Sequence, residues 1–132
     1  MNRRRFLVSA AGAGGIAVAA PWVSGASAAS DDELAYANFG VSAELLLADY
    51  YARAIDAKVL PAASAGALRR GRTAANRHAK ALGDLLVGAG QAAPAAEDFA
   101  FEWPDRAFAT ATATVATGLG VIRPVLGAYQ SA

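Results

Sequence analysis

The chain contains no cysteine among its 132 residues. Disulfide bonds, thiolate metal sites, cysteine nucleophiles and N-terminal lipidation at a cysteine are therefore excluded. Histidine occurs once, at position 78, so a nucleophilic triad has a single imidazole to draw on. No glycine-rich phosphate loop stands between a strand pattern and a helix pattern, which argues against a nucleotide-binding enzyme. These absences remove most of the common enzyme sites.

The N-terminus has the pattern of a bacterial export signal. Arg3 and Arg4 precede Phe6 and Leu7, an arrangement that resembles the twin-arginine class of signals. A mildly apolar run rich in glycine and alanine follows this basic start. Small residues then stand two positions apart and end at Ala28, as at a signal-peptidase cleavage site. The sequence therefore predicts passage through the twin-arginine translocase.

Cleavage is expected after Ala28, which divides the chain into an export signal at 1–28 and one helical domain at 29–132. The alternative is an uncleaved membrane anchor, because the apolar run over 6–23 is close to the spanning length. Contact with a membrane is expected only in that alternative. The predicted location is outside the cytoplasmic membrane, in the periplasm, the cell envelope or the medium.

The charge of the expected mature domain argues against binding to nucleic acid. The whole chain has 12 basic and 11 acidic residues. Cleavage removes three arginines and no acid, so nine basic residues remain against eleven acidic ones. A nucleic-acid-binding domain typically has the opposite balance.

The first predicted helix, Ser30–Ala57, contains a carboxylate on its apolar face. Ser30 and Glu33 form a capping-box pattern at its start. Apolar and aromatic residues then recur at steps of three and four, the spacing of one helix face. Glu44 is the one acid on this face. A buried carboxylate is costly to ionise without a partner, so Glu44 is expected to meet a cation, a metal or a proton.

The second predicted helix, from about Ala65 to Val87, carries His78 on its own apolar stripe. Ser64 is expected to cap its start, and the glycines at 88 and 90 to end it. The link to the first helix is short, so the two helices should be antiparallel neighbours. We expect Glu44 and His78 to hydrogen-bond across this pair. A single metal ion shared with a partner chain is the alternative.

A long connection precedes the third predicted helix, which should run from about Asp105 to Tyr129. The segment Gln91–Pro104 has fourteen residues and can span about 46–50 Å, more than the ~35 Å length of the second helix. The third helix can therefore run parallel to the second, as in ferritin-like bundles with one long crossover. Alternating alanine and threonine at 109–114 also fit a strand, but the apolar spacing that follows favours a helix. Pro124 is expected to kink it.

Four segments together resemble a known family. These are LAYANFGVSAELLLADYYARAI, RHAKALGDLL, DFAFEWP and LGAY. In this order they are similar to the exported ferritin-like domain proteins of bacteria. The resemblance covers about Asp31 to Tyr129. It implies an all-α antiparallel bundle of three long helices, with a long crossover between the second and the third.

The resemblance also implies a metal site that this chain lacks in large part. Active members of the ferritin-like superfamily use two helices with one Glu each and two with Glu-x-x-His. Glu44 matches the first-helix carboxylate, and Tyr51 matches a tyrosine often found near such sites. His78 matches the second-helix histidine, but Ala75 stands where its glutamate belongs. Residues 121–123 offer no acid, and no fourth helix is predicted. About two of six ligands remain, so no cofactor is expected, and iron is the alternative.

The sequence therefore predicts a non-catalytic binding or scaffold protein of the cell envelope or stress response. The alternative is an iron-binding or iron-oxidising protein whose site is completed by oligomerisation. An absent fourth helix would leave an apolar seam, and we expect a homodimer to cover it. The aromatic connection can also close the seam within a monomer. The residues expected in this seam are Leu45, Leu46, Leu82, Leu86, Ile122 and Leu126.

Overall fold

The computed structural model describes residues 28–131, which contain three long helices and no strand. The helices are α1 (Asp31–Ala57), α2 (Ala65–Gly88) and α3 (Ala111–Ser131). The prediction of an all-helical bundle is confirmed for this range. The alternative strand at 109–114 is wrong, because most of that stretch is the first turn of α3.

The capping box at the start of α1 is present as predicted. The Ser30 hydroxyl accepts a hydrogen bond from the Glu33 N–H at 3.3 Å, and Glu33 Oε2 accepts one from the Ser30 N–H at 2.8 Å. Two backbone donors that the helix itself leaves unpaired are thereby satisfied. At the other end, Lys58 adopts a left-handed conformation with φ 55° and ends α1.

The predicted cap of α2 by Ser64 is wrong. A short 3-10 turn, Ala62–Ser64, precedes α2, and Ser64 already has helical backbone angles. An N-cap side chain reaches the following N–H groups from an extended backbone, which Ser64 lacks. Its own N–H instead donates to the Pro61 carbonyl at 2.8 Å.

The predicted glycine-type end of α2 is confirmed. Gly90 has φ 79°, a left-handed conformation that suits glycine because it has no Cβ. The Gln91 N–H donates to the Leu86 carbonyl at 2.9 Å, and the Gly90 N–H donates to Val87 at 2.9 Å. These bonds satisfy carbonyls of the last turn and release the chain into the crossover.

The main core lies between the antiparallel helices α1 and α2, whose pairing is the most extensive in the described chain. Its buried members are Leu34, Ala37, Val41, Ala79, Leu82 and Leu86. The buried face of α1 follows the predicted spacing as far as Ala48 and then shifts by one residue, to Tyr50 and Ala54. The buried face of α2 is shifted from the predicted stripe, because Ala75 and Ala79 are buried in place of Ala74 and His78. It reaches Gly83, which the crossover covers with Ala93.

The crossover over 91–104, which we call the strap, lies along α1 and α2. Phe99 and Phe101 stack with ring centroids 5.3 Å apart and border an open groove of about 430 Å³ above the two helices. Trp103 Nε1 donates to Asp49 Oδ2 at 2.6 Å, which fixes the end of the strap on α1. Tyr50 packs against Trp103 at the same level.

Helix α3 begins six residues later than predicted. Arg106 has φ 64°, which interrupts any helix starting at Asp105. Thr110 then caps α3, because its Oγ1 accepts from the Ala113 N–H at 3.1 Å. Pro124 lies inside α3 as predicted and supplies no N–H to the helix.

Two tyrosines of α1 fix the direction of α3. The Tyr50 hydroxyl donates to the Thr114 carbonyl at 3.0 Å, near the start of α3. The Tyr36 hydroxyl, earlier in α1, donates to the carbonyl of Ala128 near its end. Helix α3 is therefore antiparallel to α1 and parallel to α2, as the length of the crossover predicted.

Helix α3 packs mainly on α1 and buries a different face from the one its apolar spacing suggests. Thr114, Gly118 and Val125 are buried, whereas Leu119 and Leu126 are exposed. The predicted exposed seam is therefore correct for Leu126. It is wrong for Leu82 and Leu86 of α2, which are 3% and 0% exposed in the α1–α2 core.

Candidate polar site around Glu44

The buried carboxylate of Glu44 is contacted from both neighbouring helices at the same oxygen. His78 of α2 places Nδ1 3.4 Å from Glu44 Oε1, which is an ion-pair distance when the imidazole is protonated. Tyr129 of α3 donates its hydroxyl to the same Oε1 at 3.0 Å. One side chain from each long helix thus meets at this point. We call Glu44, His78 and Tyr129 the polar triad.

Burial governs the acidity of Glu44. Its side chain is 7% exposed, against 29% for that of His78. Desolvation raises the pKa of Glu44 and outweighs the opposing effects of His78 and of the hydrogen bond from Tyr129. The folded protein therefore binds the Glu44 proton more tightly than the unfolded chain does.

Tyr129 is the member of the triad that the sequence argument missed. Burial, followed by the charge of Glu44 and the hydrogen bond to it, raises the pKa of Tyr129. The phenol therefore remains a protonated donor at neutral pH. The sequence did contain a signal for Tyr129, since the apolar spacing of α3 ends at this residue. With α3 antiparallel to α1, its last turns lie beside the first half of α1, which ends near Glu44.

Tyr51, the predicted neighbour of the site, does not supply the hydrogen bond to Glu44. Its ring fills the space beside Gly71 of α2, where an added Cβ would approach Tyr51 Cζ to 2.6 Å. Burial raises the pKa of Tyr51, and the charge of Glu44 adds to this effect. Tyr51 is therefore a packed aromatic close enough to Glu44 to sense its charge.

The predicted export signal falls outside the described residues, apart from its expected end. Arg3, Arg4, Phe6 and Leu7 all lie in that undescribed part of the chain. Ala28, the expected cleavage position, is exposed and stands two residues before Ser30, the N-cap of α1.

The residues of the polar triad do not fit a centre with two iron ions. The described residues contain no cluster of three or more His, Cys, Asp or Glu side chains. The triad offers one carboxylate, one imidazole and one phenol, and the last two converge on a single carboxylate oxygen. Two iron ions need several carboxylates to bridge them and balance their charge.

The triad is instead internally satisfied. Among the described residues, no buried side-chain nitrogen or oxygen lacks a hydrogen-bond partner. Buried polar groups that are satisfied in this way strengthen the preference for one packing arrangement.

No protein-family model, curated protein or solved structure matches this chain.

Proposed function

We propose that the chain is an exported, non-enzymatic binding or scaffold protein of the bacterial envelope or stress response, built as a ferritin-like bundle without a di-metal centre. The observation that carries this proposal is the closure of Glu44 Oε1 by Tyr129 and His78. A carboxylate occupied by a phenol and an imidazole holds three helices in register.

The arrangement of the helices supports the ferritin-like part of the proposal. Helix α3 runs parallel to α2 after a strap that returns the chain to the other end of the pair, which is the connection of ferritin-like folds. Glu44 and His78 face each other near the middle of α1 and α2, where such folds place ligands. On α3, Tyr129 contacts Glu44 directly, about two turns after residues 121–123, where the resemblance would place a carboxylate.

Replacement of the polar pair by apolar residues tests the structural role. In Glu44→Met/His78→Leu, we expect a free energy of unfolding closer to that of the wild type than in Glu44→Ala, because apolar side chains fill the site and only the Tyr129 hydroxyl loses its acceptor. Glu44→Ala alone should cost about 1–3 kcal/mol, because it removes the acceptor of Tyr129 and His78. Urea denaturation followed by circular dichroism measures both.

Iron chemistry is tested on the same proteins. Anaerobic titration with Fe(II) and an iron-oxidation assay should give the same result for the wild type and for Glu44→Met/His78→Leu. Saturable iron binding that only the wild type shows would contradict the proposal. It would establish the alternative, an iron protein whose site is completed by a second chain.

A further inference from the structure

One face of α3 is apolar and exposed over most of its length. Val115, Leu119 and Leu126 are 49%, 43% and 53% exposed, and Ile122 lies partly exposed between them. Steps of four, three and four residues align these side chains along one side of the helix. We call these four residues the α3 stripe. A contiguous exposed stripe of this kind is typical of an interaction site.

The α3 stripe lies on the side of α3 that is turned toward α2. Tyr129 stands on the helical wheel between the buried face of α3 and the stripe. Its hydroxyl reaches Glu44, and its ring packs against the core cluster that contains Leu82 of α2. The α3 stripe lies beyond Tyr129 on the side of α3 away from its buried face. It therefore borders the open space beside α2.

Two exposed arginines of α2 lie on the side of this helix away from the strap. Arg70 and Arg77 are seven residues apart and therefore share one side of α2. Arg72 and Asn76 line the groove under the strap, so Arg70 and Arg77 occupy the side turned away from it. Both are exposed, and within residues 28–131 neither forms an ion pair.

The acids of the neighbouring segments belong to the strap region or, in the case of Asp84, are paired with a lysine. The strap region carries the exposed acids Glu97, Asp98, Glu102 and Asp105. Asp84, the one acid of α2, stands seven residues after Arg77 on the same side of the helix, where Lys80 pairs with it at 2.6 Å. Helix α3 contains Arg123 and no acid. The domain is thus polarised, with an acidic strap on one side and an apolar, basic surface on the other.

We propose that this surface, formed by the α3 stripe with Arg70 and Arg77, docks onto an anionic lipid bilayer with α3 lying in the headgroup region. Interfacial helices combine an apolar face with basic residues in this way, and each arginine near the surface is attracted by anionic headgroups. Among the described helices, α3 alone has the length and apolar composition of a membrane segment, with a mean hydropathy of 1.2 over 18 residues.

Charge favours a bilayer over a second copy of the chain as the occupant. If two such surfaces met, the stripes would match, but the arginines of both chains would face each other with no acid from α3 between them. Like charges brought together in this way disfavour association. An anionic headgroup layer complements both the apolar and the basic part of the surface.

Vesicle binding tests the proposal. The full gene is expressed in a bacterium that has the twin-arginine pathway, and the protein is recovered with whichever N-terminus it then carries. All comparisons are between variants that share that N-terminus. Flotation with phosphatidylglycerol vesicles, with phosphatidylcholine vesicles as the reference, gives the partition coefficient at low and high salt.

We expect preferential binding to phosphatidylglycerol that weakens with salt. Arg70→Gln/Arg77→Gln should reduce partitioning by about fivefold per arginine. Leu119→Ser/Leu126→Ser should reduce it by about tenfold or more. The matched control Arg69→Gln/Arg72→Gln removes the same charge from other sides of α2 and should retain most of the binding. Circular dichroism verifies that each variant is folded.

Three outcomes would overturn the proposal. Equal binding to the two lipids would remove the role of the arginines. An equal loss of vesicle binding in the two arginine variants would show that net charge, and not the position of Arg70 and Arg77, determines binding. The third outcome is a protein that does not bind vesicles and is a dimer in light scattering. If Leu119→Ser/Leu126→Ser converts this dimer to a monomer, the surface serves self-association. The iron and stability tests do not depend on lipid, so failure here is distinguishable from failure of the proposed function.

Discussion

The hydroxyl of Tyr129, at the end of α3, donates a hydrogen bond to Oε1 of Glu44 in the middle of α1 at 3.0 Å. The two residues are 85 positions apart in the chain. The contact joins α3 to the α1–α2 pair at the same oxygen that faces His78. The stability of the whole arrangement therefore depends on a polar contact as well as on apolar packing.

A double-mutant cycle measures this contact. Tyr129→Phe and Glu44→Ala, made singly and together, should show a coupling of about 1–3 kcal/mol, because the hydrogen bond ends on a carboxylate. The matched control is Tyr36→Phe, whose hydroxyl donates to the carbonyl of Ala128 instead. Its coupling to Glu44→Ala should be smaller. Additive effects of Tyr129→Phe and Glu44→Ala would show that the contact contributes nothing.

The raised pKa of Glu44 predicts the sign of its contribution to pH-dependent stability. The folded state holds this proton more tightly than the unfolded chain, so the contribution is fully present below the ordinary glutamate pKa of 4.5. It is lost as the pH rises from there through the folded-state pKa. The groups that face Glu44 are His78, Tyr129 and Tyr51.

The comparison of Glu44 with Glu44→Gln isolates this effect. Both are measured in a His78→Gln background, so that the imidazole does not titrate. Urea denaturation at several pH values from about 4.5 to 8 should show stability falling with pH in the Glu44 protein relative to Glu44→Gln. A difference that is flat, or that grows in favour of Glu44 at high pH, would show that the carboxylate is not desolvated.

Two glycines of α3 provide a matched test of how closely α3 packs on α1. A Cβ at Gly118 would approach Tyr50 Cζ to 2.5 Å, and Tyr50 is only 5% exposed. Gly118→Ala should therefore cost about 1–3 kcal/mol. A Cβ at Gly120 meets nothing within 4 Å. Gly120→Ala should stabilise α3 by about 0.5–1 kcal/mol. Similar unfolding midpoints for the two variants would contradict this packing.

The export prediction is tested with the paired arginines. Arg3→Lys/Arg4→Lys should leave unprocessed protein in the cytoplasm, whereas the wild type should appear outside it with a new N-terminus near Ala29. Cell fractionation and N-terminal sequencing measure both. Normal export and processing of the double variant would contradict use of the twin-arginine translocase.

Much of the fold could be predicted because its signals are local. The capping box at Ser30, the apolar spacing of α1 and the glycine end of α2 each depend on residues within a few positions of one another. The position of His78 opposite Glu44 also followed, since a short link fixes the pairing of two antiparallel helices.

The remaining features depend on contacts between distant segments. The spacing of Val115, Leu119 and Leu126 identifies a helix but does not tell which face is buried. In the structure, Tyr50 fills the space beside Gly118 and so selects the neighbouring face of α3. The role of Tyr129 depends on the same choice, which explains why the sequence did not identify it.

The response of stability to metal removal tests the central claim most directly. The protein is recovered from its exported location, and its unfolding midpoint in urea is measured before and after treatment with a strong chelator. A bound metal stabilises the folded state, so its removal lowers the midpoint. The polar triad needs no ion, and we predict the same midpoint in both samples. The claim would be contradicted if chelator lowered the midpoint of the wild type and added iron restored it, while the midpoint of Glu44→Gln stayed unchanged in both treatments.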